Sequence, residues 1–314
     1  VGSEMCIRDR IYPEYLYQAE VQTSKRLLKL RDLADALEKV NVDKIIGQWE
    51  SEAGIVLAEA QKEAIHASLK YGVFVLTGGP GTGKTTVIKG ILAVLEKAGC
   101  RILLAAPTGR AARRLADSSG HPAVTVHRLL EYTPNGGGFN FGKNDGDPLD
   151  ADAIIIDEAS MLDITLTYHL LKAVQGGCRL IFVGDVDQLP SVGAGSVLKD
   201  IIRSQKMPVV RLENVFRQAE ISPIVRNAHR INRGQMPEWE PSSDFTFVEI
   251  ENEFDAAEYV ANIYARLTQQ SDWQSVQVLS PMHKNPCGVQ NLNHLLQQRI
   301  NPPELNKSEV NTPG

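Results

Sequence analysis

Residues Gly78 to Thr85, GGPGTGKT, fit the spacing G-x-x-x-x-G-K-[ST]. Small residues so spaced let consecutive backbone N–H groups turn into one concavity, a seat for anionic oxygens. The stretch follows the apolar run VFVL and opens a helical pattern, so a helix N-terminus adds positive potential at the same point. Gly79, Pro80, Gly81, Thr82 and Gly83 would form the cradle, with Thr86 just inside the helix. Lys84 would reach the β- and γ-phosphates, and the Thr85 hydroxyl would take Mg²⁺. The ligand this chemistry asks for is a nucleoside triphosphate.

A second set of residues concerns what happens to that ligand. Asp157 and Glu158 close the apolar run AIII. An acid at the end of a buried strand is costly unless it meets a cation. Asp157 suits Mg²⁺, and Glu158 suits a general base that polarises an attacking water. A hydrolytic base weighs against a nucleotide kinase, which must exclude water. Gln188, in GDVDQLPSVGAG, is neutral and carries both donor and acceptor atoms. Its readings are a γ-phosphate sensor or a solvated loop amide. Arg217, in ENVFRQ, reads as a stabiliser of transition-state charge or as a surface salt bridge, and spacing does not choose.

Two further patches suit nucleic acid. In APTGRAARRL, Pro107 precedes Thr108, a helix N-cap or phosphate donor. Arg110, Arg113 and Arg114 share one helical face, which a solvated surface would also explain. The second patch is VTVHRLL, with Thr125, His127 and Arg128. His127 has no cysteine or histidine neighbour in sequence, which argues against a metal there.

The elements that must hold these residues form a rhythm. VFVLTG, RILLAAP, AIIIDE and RLIFVGD are short β-rich runs, each ending in Gly, Pro or an acid, with helical patterns such as 85–97 and 109–116 between them. MPVVRL at 207–212 is a fifth. Continuous apolar strands alternating with helices indicate a parallel sheet buried on both faces, with active residues at the strands' carboxyl ends. Residues 11–50 read as helix on the stripe Leu27, Leu30, Ala34, Leu37, and a short helix is expected at 58–71. From about 219 the pattern restarts: FTFVEI and VQVLSP read as strands around a helix at 255–267. Residues 132–150, with three consecutive glycines before Phe139-Asn140-Phe141, read as a flexible loop or a short β-hairpin. A calcium loop on Asp145, Asp147 and Asp150 lacks its bidentate Glu.

Composition bounds the rest. A chain of 314 residues allows about two domains, and its 43% hydrophobic and 23% charged residues are ordinary for a globular protein. A net charge of −5 excludes a surface coated in basic residues, so nucleic-acid contacts must be local. The four cysteines, Cys6, Cys100, Cys178 and Cys287, form no CxxC pair and suit reduced thiols in a cytoplasmic protein. No apolar run reaches membrane-spanning length, and no signal peptide is visible. The opening VGSEMCIRDR resembles translated sequencing-adapter read-through and is set aside as a leader foreign to the fold.

In order, GGPGTGKTT, APTGRAARRL, TVHRLL, IIIDEASMLD, GDVDQLPSVGAGSVL and FRQ resemble the RecD-like branch of superfamily 1 helicases, a likeness continuing through SPIVRNAHRINRGQMP and VLSPMHKNPCGVQNLNHLLQQRINPP. The resemblance covers most of 11–305. It implies a RecA-like phosphate-loop sheet at 51–218, a helical segment at 11–50 before it, and the beginning of a second such domain at 219–314. It implies ATP-driven 5′-to-3′ translocation on single-stranded DNA, duplex unwinding at junctions, and ATP and Mg²⁺ as cofactors. It places Lys84, Thr85, Asp157 and Glu158 in the phosphate, Mg²⁺ and water-activating roles, Gln188 and Arg217 at the γ-phosphate, and Gln61 at the adenine, where an exposed helix amide is the plain alternative. Pro107, Thr108, Arg110, Thr125, His127 and Arg128 fall in strand-contacting segments. The 132–150 segment falls where this branch inserts a hairpin that helps split the duplex, so Phe139 and Phe141 would offer stacking surface. Later motifs of the second motor domain are not found, so the chain is expected to be a fragment that binds nucleotide better than it hydrolyses it. The alternatives are a nucleotide-dependent single-stranded-DNA-binding module, the helicase part of a conjugative relaxase, and a non-helicase ATPase. The resemblance disfavours the last.

Overall fold

The computed structural model describes residues 4–7, 10–33, 41–135, 138–212, 222–239 and 244–302. The chain divides into two compact units, Val1–Glu238 and Trp239–Gly314. The expected boundary at 218/219 lies outside the described residues.

The first unit is built on β3 (Val73–Gly78), β4 (Ile102–Ala106), β5 (Ala123–Thr125), β8 (Ala153–Ile156), β9 (Arg179–Gly184) and β10 (Val209–Leu212). They form one sheet in the order β10-β3-β9-β8-β4-β5, parallel throughout. The apolar runs do not alternate with polar residues because both faces are covered. Val73, Val75, Ile154, Ile156, Leu180 and Phe182 enter one core with α1 (Glu14–Leu33), α7 (Ile164–Ala173) and α8 (Val197–Ser204). Phe74, Leu76, Ala153, Ile155, Ile181 and Val183 enter the other, with α2 (Val42–Ala53), α3 (Glu59–Lys70) and α4 (Lys84–Lys97). Successive strand residues point to opposite faces, so every position in these runs must be apolar. β4 is followed by α5 (Gly109–Ser119), and β5 by the short α6 (Val126–Leu129).

The structure departs from the sequence reading at the leader, at Phe141 and in the second unit, and it shows the hairpin of the two readings offered for 132–150. The opening residues set aside as a leader include β1 (Glu4–Ile7), antiparallel to β2 (Arg10–Pro13), so the expected helix begins at Glu14. A two-strand ribbon needs only local pairing, which the missing apolar period does not forbid. Residues 132–150 contain a hairpin, β6 (Tyr132–Asn135) on β7 (Gly138–Phe141). Phe141, expected to offer stacking surface, turns inward instead. It is buried, its ring centroid 4.4 Å from His169 and 5.2 Å from Tyr132. Position parity decides this, since Phe141 pairs with Tyr132 on the core-facing side of the ribbon; the Phe139 side chain lies outside the described residues. The acids of the rejected calcium loop are all engaged: Asp145 with Arg26, Asp147 with Lys143 and Asp150 with Arg101.

The last departure is in the second unit. Its helix, Glu253–Thr268, forms as expected, and Val289–Ile300 packs on it through Arg299, which binds Glu258 and Asn262. FTFVEI and VQVLSP, expected as strands, are not strands. A β segment exists only as a member of a ladder, and neither run is paired among the described residues. The alternation of FTFVEI survives in another form, with Phe245 and Phe247 stacked on Trp239 at 6.4 and 4.0 Å.

Candidate nucleotide site at the carboxyl edge of the sheet

The phosphate-type loop leaves β3 and ends at the first turn of α4. Gly81 and Gly83 have φ of 74° and 85°, the left-handed region that glycine enters without strain. At Gly78 a Cβ would lie 2.7 Å from Thr82 Oγ1 and 2.9 Å from the Leu212 carbonyl, so only glycine fits there. Thr82 Oγ1 donates to the Gly79 carbonyl at 2.9 Å. The Lys84 ammonium folds back on the loop, donating to the Gly78 and Gly79 carbonyls at 2.6 and 2.9 Å. Burial pushes its pKa down, and the charges of Asp185, Glu158 and Asp157 oppose that shift.

Those three acids end neighbouring strands. Asp157 and Glu158 follow β8, and Asp185 follows β9, which lies between β8 and β3. Burial raises the Asp157 pKa above the usual carboxylate range, against the Glu158 N–H that donates to its Oδ1 at 2.9 Å. Glu158 sits at φ 51°, a left-handed conformation rare for a residue with a long side chain. Its Oε2 is buried and has no hydrogen-bond partner. A buried carboxylate oxygen left unpartnered is expensive, and such strain concentrates at functional sites. Asp185, 3% exposed, accepts from the Asp187 N–H at 3.0 Å and from Gln188 Nε2 at 3.3 Å. The sequence reading passed over Asp185, although it ends the run RLIFVG just as Asp157 ends AIII.

Gln61 is 3% exposed, which removes the exposed-amide alternative. Its Oε1 accepts from the Ala58 N–H at 3.0 Å, capping α3, and its Nε2 donates to the Thr82 carbonyl at 3.4 Å. It thus ties α3 to the phosphate-type loop. Arg217 lies outside the described residues. Across the sheet, Thr108 caps α5 by accepting from the Ala111 N–H at 3.2 Å, and Thr125 caps α6 by accepting from the Arg128 N–H at 3.1 Å. Pro107 is partly buried between β4 and that cap, while Arg110 and Arg128 are exposed. Arg110, Arg113 and Arg114 lie together on the open outer surface of α5. The His127 ring meets Tyr132 edge-on at 5.5 Å, which joins this patch to the hairpin.

The glycine cradle, the half-buried ammonium and the unpartnered Glu158 Oε2 suit a triphosphate and an attacking water. Among the described residues no three His, Cys, Asp or Glu side chains converge as a metal cage. Mg²⁺ is commonly held by one or two protein groups together with phosphate oxygens, and Thr85 and Asp157 are of the right chemistry for that sharing.

An AAA domain family profile matches residues 61–194. The chain is 41% identical over 248 residues to the ATP-dependent RecD2 DNA helicase of Deinococcus radiodurans, covering 79% of this chain and 33% of that protein. It is 44% identical over 167 residues to the RecBCD enzyme subunit RecD of Mycobacterium tuberculosis, covering 46% of this chain and 28% of that protein. The chain therefore spans a third or less of the length of these curated relatives. Among solved structures, a Pif1 helicase from Candida albicans is similar with a TM-score of 0.44 at 20% identity, over 66% of this chain and 55% of that one. In sequence the chain is similar to RecD-like DNA helicases.

Proposed function

We propose that this chain is the first motor lobe of an ATP-dependent DNA helicase that moves 5′ to 3′ on single-stranded DNA and opens duplex at a junction. The observation that carries the reading is Glu158 Oε2, a buried oxygen without a hydrogen-bond partner on a half-buried side chain beside Asp157 and close enough to Lys84 to act on its charge. A carboxylate so placed accepts a proton from a water attacking the terminal phosphate. Lys84 leaves its two loop carbonyls and binds the β- and γ-phosphates. Thr85 and Asp157 would hold Mg²⁺, which when bound draws charge from the phosphate oxygens. Gln188 and Arg217 contact the γ-phosphate, and Gln61 lies on the adenine side of the loop.

DNA is the second ligand of the reading. Pro107, Thr108, Arg110, Thr125, His127 and Arg128 follow β4 and β5, along the edge that also carries the phosphate-type loop. A strand lying there would share its supporting sheet with the nucleotide. Residues 219–314 would begin the second lobe.

The test is unwinding by the protein at its natural full length. Duplexes with a 5′ tail should open in the presence of ATP and Mg²⁺, and duplexes with a 3′ tail should not. Equal opening of both would end the directional claim, and opening without ATP would end the motor itself.

A further inference from the structure

We propose that Asp185 is a positioning residue that fixes how the Gln188 carboxamide faces the γ-phosphate end of the loop. The inference rests on the reading of Gln188 as a γ-phosphate contact, and adds the group that makes that contact directional.

Gln188 is exposed, and an exposed glutamine amide left alone samples many rotamers and both flips of its head group. Here one amide hydrogen is given to Asp185 Oδ2 at 3.3 Å. Among the described residues that is the hydrogen bond its side chain makes. A carboxylate only accepts, so it rejects the flipped amide, which would present Oε1 to it. The tether therefore leaves the second amide hydrogen and Oε1 turned outward in a defined sense.

Asp185 can impose this because it is itself held. It is buried at the end of β9, and its Oδ1 accepts from the Asp187 N–H at 3.0 Å. Gly184 before it packs so closely that a Cβ would lie 2.9 Å from Leu198 and 3.1 Å from the Ser160 nitrogen. The far end of the loop is fixed too: the Ile164 N–H donates to the Ala194 carbonyl at 2.8 Å, and Ser191 Oγ donates to the Gly195 carbonyl at 2.8 Å. Gln188 is thus an exposed side chain between two anchored ends, tethered to Asp185.

The experiment compares the affinity of the chain for a fluorescent, non-hydrolysable ATP analogue with its affinity for the matching ADP derivative. Their ratio reads γ-phosphate recognition without turnover. Asp185→Asn keeps an acceptor for the Asp187 N–H but allows the flip. It should lower the ratio roughly tenfold, the size of one hydrogen bond to a charged group, as should Gln188→Ala. Combining both should lower it no further than either alone, the mark of one coupled unit. Thermal unfolding checks that each variant folds. Equal weakening of both ligands by Asp185→Asn would make the residue merely structural and overturn the proposal. So would additive losses in the double variant. No change in the ratio with Gln188→Ala would overturn it while leaving nucleotide binding in place. Failure of the unaltered chain to bind either nucleotide would overturn the nucleotide reading itself.

Discussion

Asp152 and Asp157 stand at opposite ends of the same strand, β8, and their surroundings treat them oppositely. Asp152, at the amino end, accepts from the Arg101 N–H at 2.7 Å, and the Arg101 guanidinium is close by at 3.4 Å. Those contacts hold its carboxyl below the usual carboxylate range. Asp157, at the carboxyl end, is pushed above that range by burial. At the amino edge the charges answer one another, since Arg101 also pairs with Asp150. At the carboxyl edge Asp157, Glu158 and Asp185 share the field of Lys84, whose own hydrogen bonds go to carbonyls. An acid at a strand end is therefore no sign of function by residue type. Burial without a full answer to the charge is the sign, because a ligand cation or a reacting proton can then supply it.

The comparison is broken most directly at Lys84. Lys84→Ala should weaken nucleotide binding by about 10–100-fold, the worth of one or more charge-assisted hydrogen bonds to phosphate. A titration with fluorescent nucleotide that shows no loss would erase the distinction between the two edges. In urea unfolding, Asp152→Asn should cost about 1 kcal/mol or less, given its partial exposure to screening solvent. Asp157→Asn should leave stability unchanged or raise it, because it removes a buried charge. Their pH dependences should have opposite signs. A lowered native pKa contributes stability above the unfolded value and loses it as pH falls through the native one, so the Asp152→Asn deficit should shrink in acid. A raised native pKa contributes below the unfolded value and is lost as pH rises through the native one. The Asp157→Asn advantage should therefore appear on going from acid to neutral pH. Parallel profiles for the two variants would contradict the comparison.

Two smaller effects sharpen it. If the α5 patch meets DNA phosphates, Arg110→Ala should reduce the slope of log affinity against log salt by about 1, measured on single-stranded DNA. An unchanged slope would return Arg110 to an ordinary solvated surface. His121 is a paired charge of the amino-edge kind, its Nε2 2.6 Å from Glu96 Oε1. That hydrogen bond, and one to the Ser119 carbonyl, raise its pKa. Its contribution is present below the ordinary histidine value and lost as pH rises through the native one. His121→Ala should thus lose under ~1 kcal/mol in mild acid and nothing at alkaline pH, by thermal unfolding in both buffers.

Much of the carboxyl edge was legible in the chain. GGPGTGKT, AIIIDE and RLIFVGD each combine an apolar run with a polar stop, and that combination survives whatever the neighbours are. The strands of the second unit were misread for the complementary reason. FTFVEI and VQVLSP have strand composition, but a strand also needs a partner, which lies elsewhere in sequence. Phe141 was misplaced because its direction depends on its cross-strand register with Tyr132 and on the presence of His169 beneath it. For Gln61 an exposed helix amide stood as the alternative to an adenine contact because its cap on Ala58 is local but its burial against Thr82 is not.

What the sequence determined by itself is the chemistry on offer: a glycine-rich phosphate cradle with its lysine, an acid pair that can hold metal and take a proton, and strands fit only for a sheet covered on both faces. These follow from residue type and short spacing, which act within a turn or a strand. The tertiary structure decided which groups share a field. Placing β9 between β3 and β8 brings Asp185 into the field of Lys84 beside Asp157 and Glu158, whose Oε2 is left buried and unanswered. Neighbour order in a parallel sheet is set by long crossovers, and electrostatics and burial depend on that order and not on sequence distance.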